Sequence, residues 1–322
     1  MAESPQYGGQ AVIEGVMMRS PRFFAVACRR ENKEIVVQKE SVESILRRFQ
    51  WLNKPFLRGT LALIDAIVLG MKSLTFSANI AMEDIEKANP RPKKEEQPSE
   101  STEGGGQKRQ RINDLTIGAT MILGLALGVG IFAITPHLLT DLLKHWIKNS
   151  ILLNLCEGFI RIAMFVGYVA LISLMKDIRR VFQYHGAEHK VINTFEVGLD
   201  LTGENIAKHG TIHPRCGTSF ILLVFVLSIL VFSFLGWADV WYVRIGSRLA
   251  LLPVVAGIGY EIVRFAGRHK DSRLLRVILG PGLLLQKLTT RQPSDDMVEV
   301  ALKALRSVLE DEKEQSPEPA AA

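Results

Sequence analysis

Residues 184–190 read Tyr184-His185-Gly186-Ala187-Glu188-His189-Lys190. On a helix, His185 and His189 fall at i and i+4 on one face with Glu188 beside them, the order His-x-x-Glu-His that inverted zinc peptidases use. Two imidazole nitrogens one turn apart can both reach a divalent ion at ~2.0–2.1 Å, and a nearby carboxylate can take a proton from water. Further along, His213-Pro214-Arg215-Cys216 adds an imidazole and a thiol. Four of the chain's seven histidines and one of its three cysteines lie between residues 176 and 217, which makes the combination more specific than His-x-x-Glu-His alone. His185, His189, His213 and Cys216 are the expected ligands of a divalent metal, zinc first, and Glu188 the expected general base.

Two function classes stay open on this spacing. A metal-dependent membrane enzyme, hydrolytic in type, needs an open coordination position, whereas a filled four-ligand site is structural. The second class is a noncatalytic membrane scaffold or adaptor, its cytosolic face stabilised by the metal or by a hydrogen-bond cluster. Gly186 argues against a helix at this point, and a His-rich loop at a membrane surface can also bond headgroups.

Other residues join the candidates with a bland alternative beside each. Glu14 and Arg19 lie in a Gly-rich N-terminal segment and could meet the site as a carboxylate and an anion clamp, or belong to a tight turn. Arg215 stands between His213 and Cys216. Glu261 and Arg264, near the cytoplasmic end of an apolar run, are functional by the general rule for intramembrane ionisable groups, or an interfacial ion pair. Glu157 and Arg161 at i and i+4 read as structural, Cys28 and Cys156 as packing residues, and His137, His145 and His269 as interfacial.

The elements that position these residues are mostly helical and membrane-spanning. Residues 115–138, 151–175, 218–237 and 244–265 each hold close to the ~20 apolar residues that a bilayer core requires. Residues 56–82 are interrupted by Asp65 and Lys72, and Leu61, Ile64, Val68 and Leu69 repeat at helical spacing, which suits an amphipathic or re-entrant helix. Lys and Arg crowd residues 47–58, the stretch 93–111 and the segment 176–217, so these face the cytoplasm and both termini lie inside. The expected architecture is an all-α integral membrane protein: a cytosolic N-terminal segment (1–55), the amphipathic helix (56–86), a disordered linker (87–112), a four-span unit (113–267), a cytosolic C-terminal segment (268–312) and a disordered tail (313–322).

The N-terminal segment carries a possible β-hairpin, Phe23–Cys28 and Glu34–Gln38 about a turn at Glu31-Asn32. Near the other end, Ser294 or Asp295 caps a helix with Met297, Val300, Ala301, Ala304, Leu305, Val308 and Leu309 on one face.

Composition excludes several classes. The net charge of +6 follows from topology and anionic headgroups, and with no basic stripe interleaved with aromatics no nucleic-acid partner is expected. The expected partners are the lipid bilayer and a substrate or protein of unknown identity. Three widely spaced cysteines give no disulfide framework. The N-terminus has no signal-peptide pattern, and no internal repeat of the transporter kind is visible.

The segment 8–19, Tyr184–Lys190, His213-Pro214-Arg215-Cys216-Gly217-Thr218-Ser219, Tyr260-Glu261-Ile262-Val263-Arg264 and the stretch from Pro281-Gly282-Leu283 to Thr289-Thr290-Arg291 closely resemble the YqhQ-type bacterial membrane proteins. That family is of unknown function and commonly labelled a predicted metal-dependent enzyme. The resemblance covers nearly the whole chain except residues 89–108 and the tail. It implies a multi-pass protein of the bacterial inner (cell) membrane and leaves the reaction open.

Overall fold

The computed structural model describes residues 7–42, 54–88, 118–120, 122–124, 126–235, 240–268 and 272–315. The linker expected at 87–112 lies almost wholly outside these residues, as do His269 and most of the expected tail.

The N-terminal segment is where the all-α expectation needs correcting. Strands β1 (Gly8–Val12), β2 (Gly15–Arg19), β3 (Phe23–Arg29) and β4 (Ile35–Ser41) form one antiparallel sheet in the order β1-β2-β3-β4. The expected hairpin is its β3–β4 half, with Cys28 opposite Val36. Strand β2 escaped notice because Gly15–Met18 are all buried, and a strand buried on two sides carries no apolar/polar alternation; β1 escaped because Gly8-Gly9-Gln10 offers no apolar pattern, only Val12 being buried.

Period-2 geometry divides β3 between the two layers. Phe23, Ala25 and Ala27 join one core with Val16 and Met18, and Phe24, Val26 and Cys28 join another with Val12 and Met17. The first core is closed by α4 (Lys176–Glu196) through Tyr184, Ala187, Val191 and Ile192, and by α9 (Asp295–Glu314) through Met297, Val300, Ala301, Ala304, Leu305 and Val308. The amphipathic face expected of α9 is the face that docks, and Ser294 is its N-cap residue. That helix runs to Glu314, past the point where a tail was expected.

The second core is closed by α1 (Leu57–Ala88) through Leu69 and Ile80. Gly70, Ser73 and Ser77 are buried, while Ile64, Ile67 and Val68 are exposed on the other side. Its start lies against α7 (Trp241–Arg268), where Arg58 forks onto the two Glu261 oxygens at 2.7 and 2.6 Å and Thr60 Oγ1 donates to Pro253 O at 2.9 Å.

Among the described residues, four helices are long and apolar enough to cross a membrane: Leu57–Ala88, Gly118–Leu143, Ser150–Ile172 and Tyr242–Ala266. Three match expected spans. The amphipathic segment 56–82 is part of the first, so it meets the length and composition requirement although Leu69, Leu74, Phe76 and Ile80 pack on the sheet. The span expected at 218–237 is instead the shorter α6 (Gly217–Ser233), 17 residues. At a rise of ~1.5 Å per residue it is ~25 Å long, under the ~30 Å of a hydrocarbon core.

A charged network ties α2 (Thr135–Leu143), α3 (Ser150–Ile172) and α7 together. Arg161 Nη2 bonds Glu157 Oε1 at 2.7 Å, Arg248 reaches Glu157 and, at 2.7 Å, Asn154, and Arg244 Nη1 bonds Asp141 at 2.9 Å. Arg161 Nε also donates to Phe132 O at 3.0 Å within a π-helical turn, Gly130–Ile134. Pro136 has no N–H to offer that carbonyl, and the guanidinium supplies one. His137, expected at the interface, is instead buried in this network, 3.7 Å from Glu157.

Candidate functional site

The segment expected as a cytosolic loop between residues 176 and 217 is folded as α4, the short α5 (Gly203–Lys208) and a return to Cys216 at the N-cap of α6. Gly186 sits inside α4 despite its poor helix propensity, and packing supplies the reason. A Cβ there would lie 2.0 Å from Arg291 O, so only glycine lets the segment after α8 (Arg273–Thr289) lie against the helix. That close approach is sealed by Arg291 N–H donating to Phe182 O at 2.9 Å.

The approach also orients the first imidazole. His185 Nδ1 lies 2.8 Å from Thr289 O, and His189 Nδ1 lies 2.6 Å from Thr211 O. A carbonyl can only accept, so each Nδ1 carries a proton, and in the neutral ring Nε2 is then the atom free to ligate. The rings are one helical turn apart with centroids at 4.4 Å. Cys216 Sγ is 3.3 Å from His185 Nε2 and 3.1 Å from Thr218 Oγ1. One donor atom from each of His185, His189 and Cys216 lies within 4.8 Å of the others.

These donors suit a metal. Tetrahedral zinc with N ligands at ~2.0 Å and a thiolate at ~2.3 Å brings neighbouring donors to separations like the one seen here. Carbonyl-anchored imidazoles are the outer-sphere arrangement that metal-ligating histidines use. Three protein donors leave a fourth position open.

Glu188 completes the floor. It is buried, with Oε2 3.4 Å from His189 Nε2. Burial holds its carboxyl above the usual carboxylate range, opposed by the nearby His185 and His213 and by a bond from the Gly9 amide. Strand β1 closes over it so tightly that a Cβ on Gly9 would come 2.7 Å from Glu188 Cγ and 2.6 Å from Met17 O.

The fourth expected ligand stands apart. His213 Nε2 bonds Glu196 Oε1 at 3.0 Å, and its ring centroid is 5.6 Å from that of His189. Arg215, also a candidate, pairs with the same Glu196 oxygen. Burial disfavours ionisation of Glu196, but the bonds from His213 and Arg215 outweigh it and bring the carboxyl down to about 2.

The remaining candidates take positions outside this cluster. Glu14, at φ 50° on the β1–β2 turn, accepts from Arg180 Nε at 2.6 Å and from Tyr184 OH at 3.3 Å, docking the hairpin on α4. That bond raises the Arg180 guanidinium above its ordinary value, and burial does the same to the Tyr184 hydroxyl. Arg19 lies within electrostatic reach of Asp65 and Tyr260, and Arg264 within reach of Glu261, whose oxygens Arg58 holds. Cys28 is buried in the second core, where its thiol is pushed up to about 12.

The profile of a family described as a protein of unknown function (DUF1385) matches residues 54–311. The chain belongs to the DUF1385 family. It is also similar to the uncharacterized protein YqhQ of Bacillus subtilis (strain 168), 33% identical over 310 residues, which is 95% of this chain and 92% of that one. No solved structure gave a significant match. The matched DUF1385 region holds the three clustered donors and Glu188 but begins after the sheet, so Gly9 lies outside it.

Four contributors escaped sequence reasoning. Glu196 sits a full turn and more beyond His189 with no motif to mark it. The carbonyls of Thr211 and Thr289 carry no side-chain signature at all. Gln286, fully buried, accepts from His213 N–H at 2.8 Å and donates to His213 O at 2.8 Å and Ser219 Oγ at 2.6 Å. A Gln directly after the apolar run Leu283-Leu284-Leu285 was the one available hint.

Proposed function

We propose that this chain is a metal-dependent membrane enzyme, hydrolytic in class, with its site at the cytoplasmic face. His185, His189 and Cys216 hold a divalent metal, zinc first, and Glu188 is the general base. The observation that carries this reading is the pair of imidazoles anchored through Nδ1 on backbone carbonyls, with His185 Nε2 3.3 Å from the Cys216 thiol and a donor atom of each of the three residues within 4.8 Å of the others. Lone pairs and sulfur gathered in a buried place repel unless a cation or proton lies among them.

A bound divalent ion supplies Lewis-acid polarisation and an activated nucleophile at neutral pH. The chain's own groups do the rest. Thr289 O and Thr211 O fix the rings, β1 excludes water from above Glu188, and the buried carboxyl sits nearer neutrality than an exposed one, as a proton acceptor requires. His213, bonded to Glu196, acts through position.

The membrane reading belongs to the same proposal. The apolar helices at 118–143, 150–172, 217–233 and 242–266 cross the cell membrane and α1 does not, so that both termini are cytoplasmic, supported by the Lys/Arg asymmetry of the connecting segments. The C-terminal part of α1, which packs on the sheet, lies along the cytoplasmic surface.

Glu188→Gln and His189→Ala test the function. The first should keep zinc at normal protein abundance while complementation of a deletion strain is lost, a general base contributing ~10²–10⁴-fold. The second should lose zinc and complementation together. Full complementation by Glu188→Gln at normal abundance would instead support the noncatalytic scaffold.

A further inference from the structure

Helix α8 carries a second feature besides the carbonyl that anchors His185. Leu274, Val277, Ile278, Pro281 and Leu284 are exposed, and their spacing sets them on one face of the helix. Val277 is 74% exposed and Leu284 62%. A contiguous apolar stripe of this kind marks a surface that meets a membrane or a partner.

The opposite face of α8 is packed on three of the apolar helices. Leu275 and Leu279 cluster with Ala266 of α7 and Leu223 of α6, and Leu285 with Val169 of α3 and Leu222 of α6. Between them Gly282 lies so close to α6 that a Cβ would stand 2.7 Å from Ser219 Cβ. Ala266, Ser219 and Val169 each sit within one turn of the end of their helix, and the α6 end is the one that follows Cys216. Helix α8 therefore runs across the ends of α7, α6 and α3 in turn. Its exposed stripe continues onto the outside of α6: Ile278 and Pro281 border the same small cleft as Val226, which is exposed along with Ile221 and Leu230.

We propose that α8 is sunk in the cytoplasmic leaflet of the bilayer, its stripe against lipid acyl chains, and is not part of a cytosolic C-terminal segment. Continuity and charge name the occupant. Lipid that covers Ile221, Val226 and Leu230 reaches Ile278 and Pro281 without a break. Arg273 and Lys287, exposed near the two ends of the helix, suit the level of anionic headgroups, where long basic side chains reach the phosphates while their stems stay among apolar groups. An interfacial helix buries its apolar face ~5–10 Å into the headgroup/acyl boundary. Because α8 ends at Thr289, whose carbonyl holds His185 at 2.8 Å, this placement ties the His185 cluster to the membrane surface.

The placement of α8 rests on the membrane reading, and the test judges the two separately. The full chain is reconstituted in vesicles of phosphatidylcholine and phosphatidylglycerol. A nitroxide is introduced through Val277→Cys or Leu284→Cys on the stripe, through Leu230→Cys on α6, or through Lys303→Cys on α9, all at exposed positions. The background is Cys156→Ala, Cys28 and Cys216 being buried. Power saturation then compares collisions with oxygen, which concentrates among acyl chains, and with nickel ethylenediaminediacetate, which stays in water. Two stripe positions keep the test decisive if one label disturbs the helix.

Val277 and Leu284 should favour oxygen over nickel as Leu230 does, with the reverse at Lys303. Nickel contact at the stripe as high as at Lys303, with Leu230 in lipid, overturns the placement of α8 and leaves the spans standing. Shielding of the stripe from both reagents would mean that a second copy or another protein segment covers it, and also overturns the placement. Leu230 in water would refute the membrane reading, and the placement of α8 with it.

Discussion

Gly186→Ala places one methyl group where the structure leaves no room. By helix propensity alone, alanine should stabilise α4 by ~1 kcal/mol. The new Cβ, however, would stand 2.0 Å from Arg291 O, 3.1 Å from Arg291 C and 3.3 Å from Thr211 Cγ2. Carbon and carbonyl oxygen meet no closer than ~3.3 Å, so the segment must retreat by more than ~1 Å. That carries Thr289 O out of range of His185 Nδ1, now at 2.8 Å. Overpacking costs ~1–3 kcal/mol and the lost hydrogen bond ~0.5–1.5 kcal/mol. The clash outweighs the propensity gain, and the net should be destabilising by ~1–3 kcal/mol. Loss of an outer-sphere anchor should also weaken metal binding ~10–100-fold. Thermal unfolding in detergent and zinc competition titrations read the two effects. An unfolding temperature at or above wild type, with unchanged zinc affinity, would refute the reasoning from this contact.

Gly9→Ala should push Glu188 from under β1 and lower stability by ~1–3 kcal/mol through the same overpacking, read by thermal unfolding, with zinc content retained. Glu196 has a depressed pKa of about 2, so its contribution is complete above the unfolded value of ~4.3 and is lost as pH falls towards the folded one. The unfolding midpoint of wild type should therefore drop more steeply between pH 5 and pH 3 than that of Glu196→Gln, by ~3 kcal/mol at most. Leu305→Ala, at a fully buried position of α9, should cost ~2–5 kcal/mol by denaturant titration. Reporter fusions after Ala88 and after Glu310 should both report cytoplasm, and an outer location for either would overturn the proposed topology.

Local pattern made part of this protein legible. The His185/His189 pair declares itself because i and i+4 share a helical face wherever the helix goes. The docking face of α9 is written in apolar residues spaced by its own turn, and the β3–β4 hairpin in two β-prone runs about a polar turn. Length and hydropathy likewise suffice to mark three of the four described helices that are long and apolar enough to cross a membrane.

What packing decides was not legible. Strand β2 is buried along Gly15–Met18, so no alternation marks it, and β1 begins Gly8-Gly9-Gln10 with no apolar pattern at all. Gly186 reads as a helix breaker until Arg291 is seen against it. Whether His213 or Glu188 joins His185, His189 and Cys216 depends on Glu196 and on two carbonyls, and backbone oxygens are the same in every residue. Pattern along the chain records what a segment needs from its own periodicity. Which donor faces which lone pair is set by contacts between segments as far apart as Gly9 and Glu188 or Gly186 and Arg291, and only the tertiary structure brings those together.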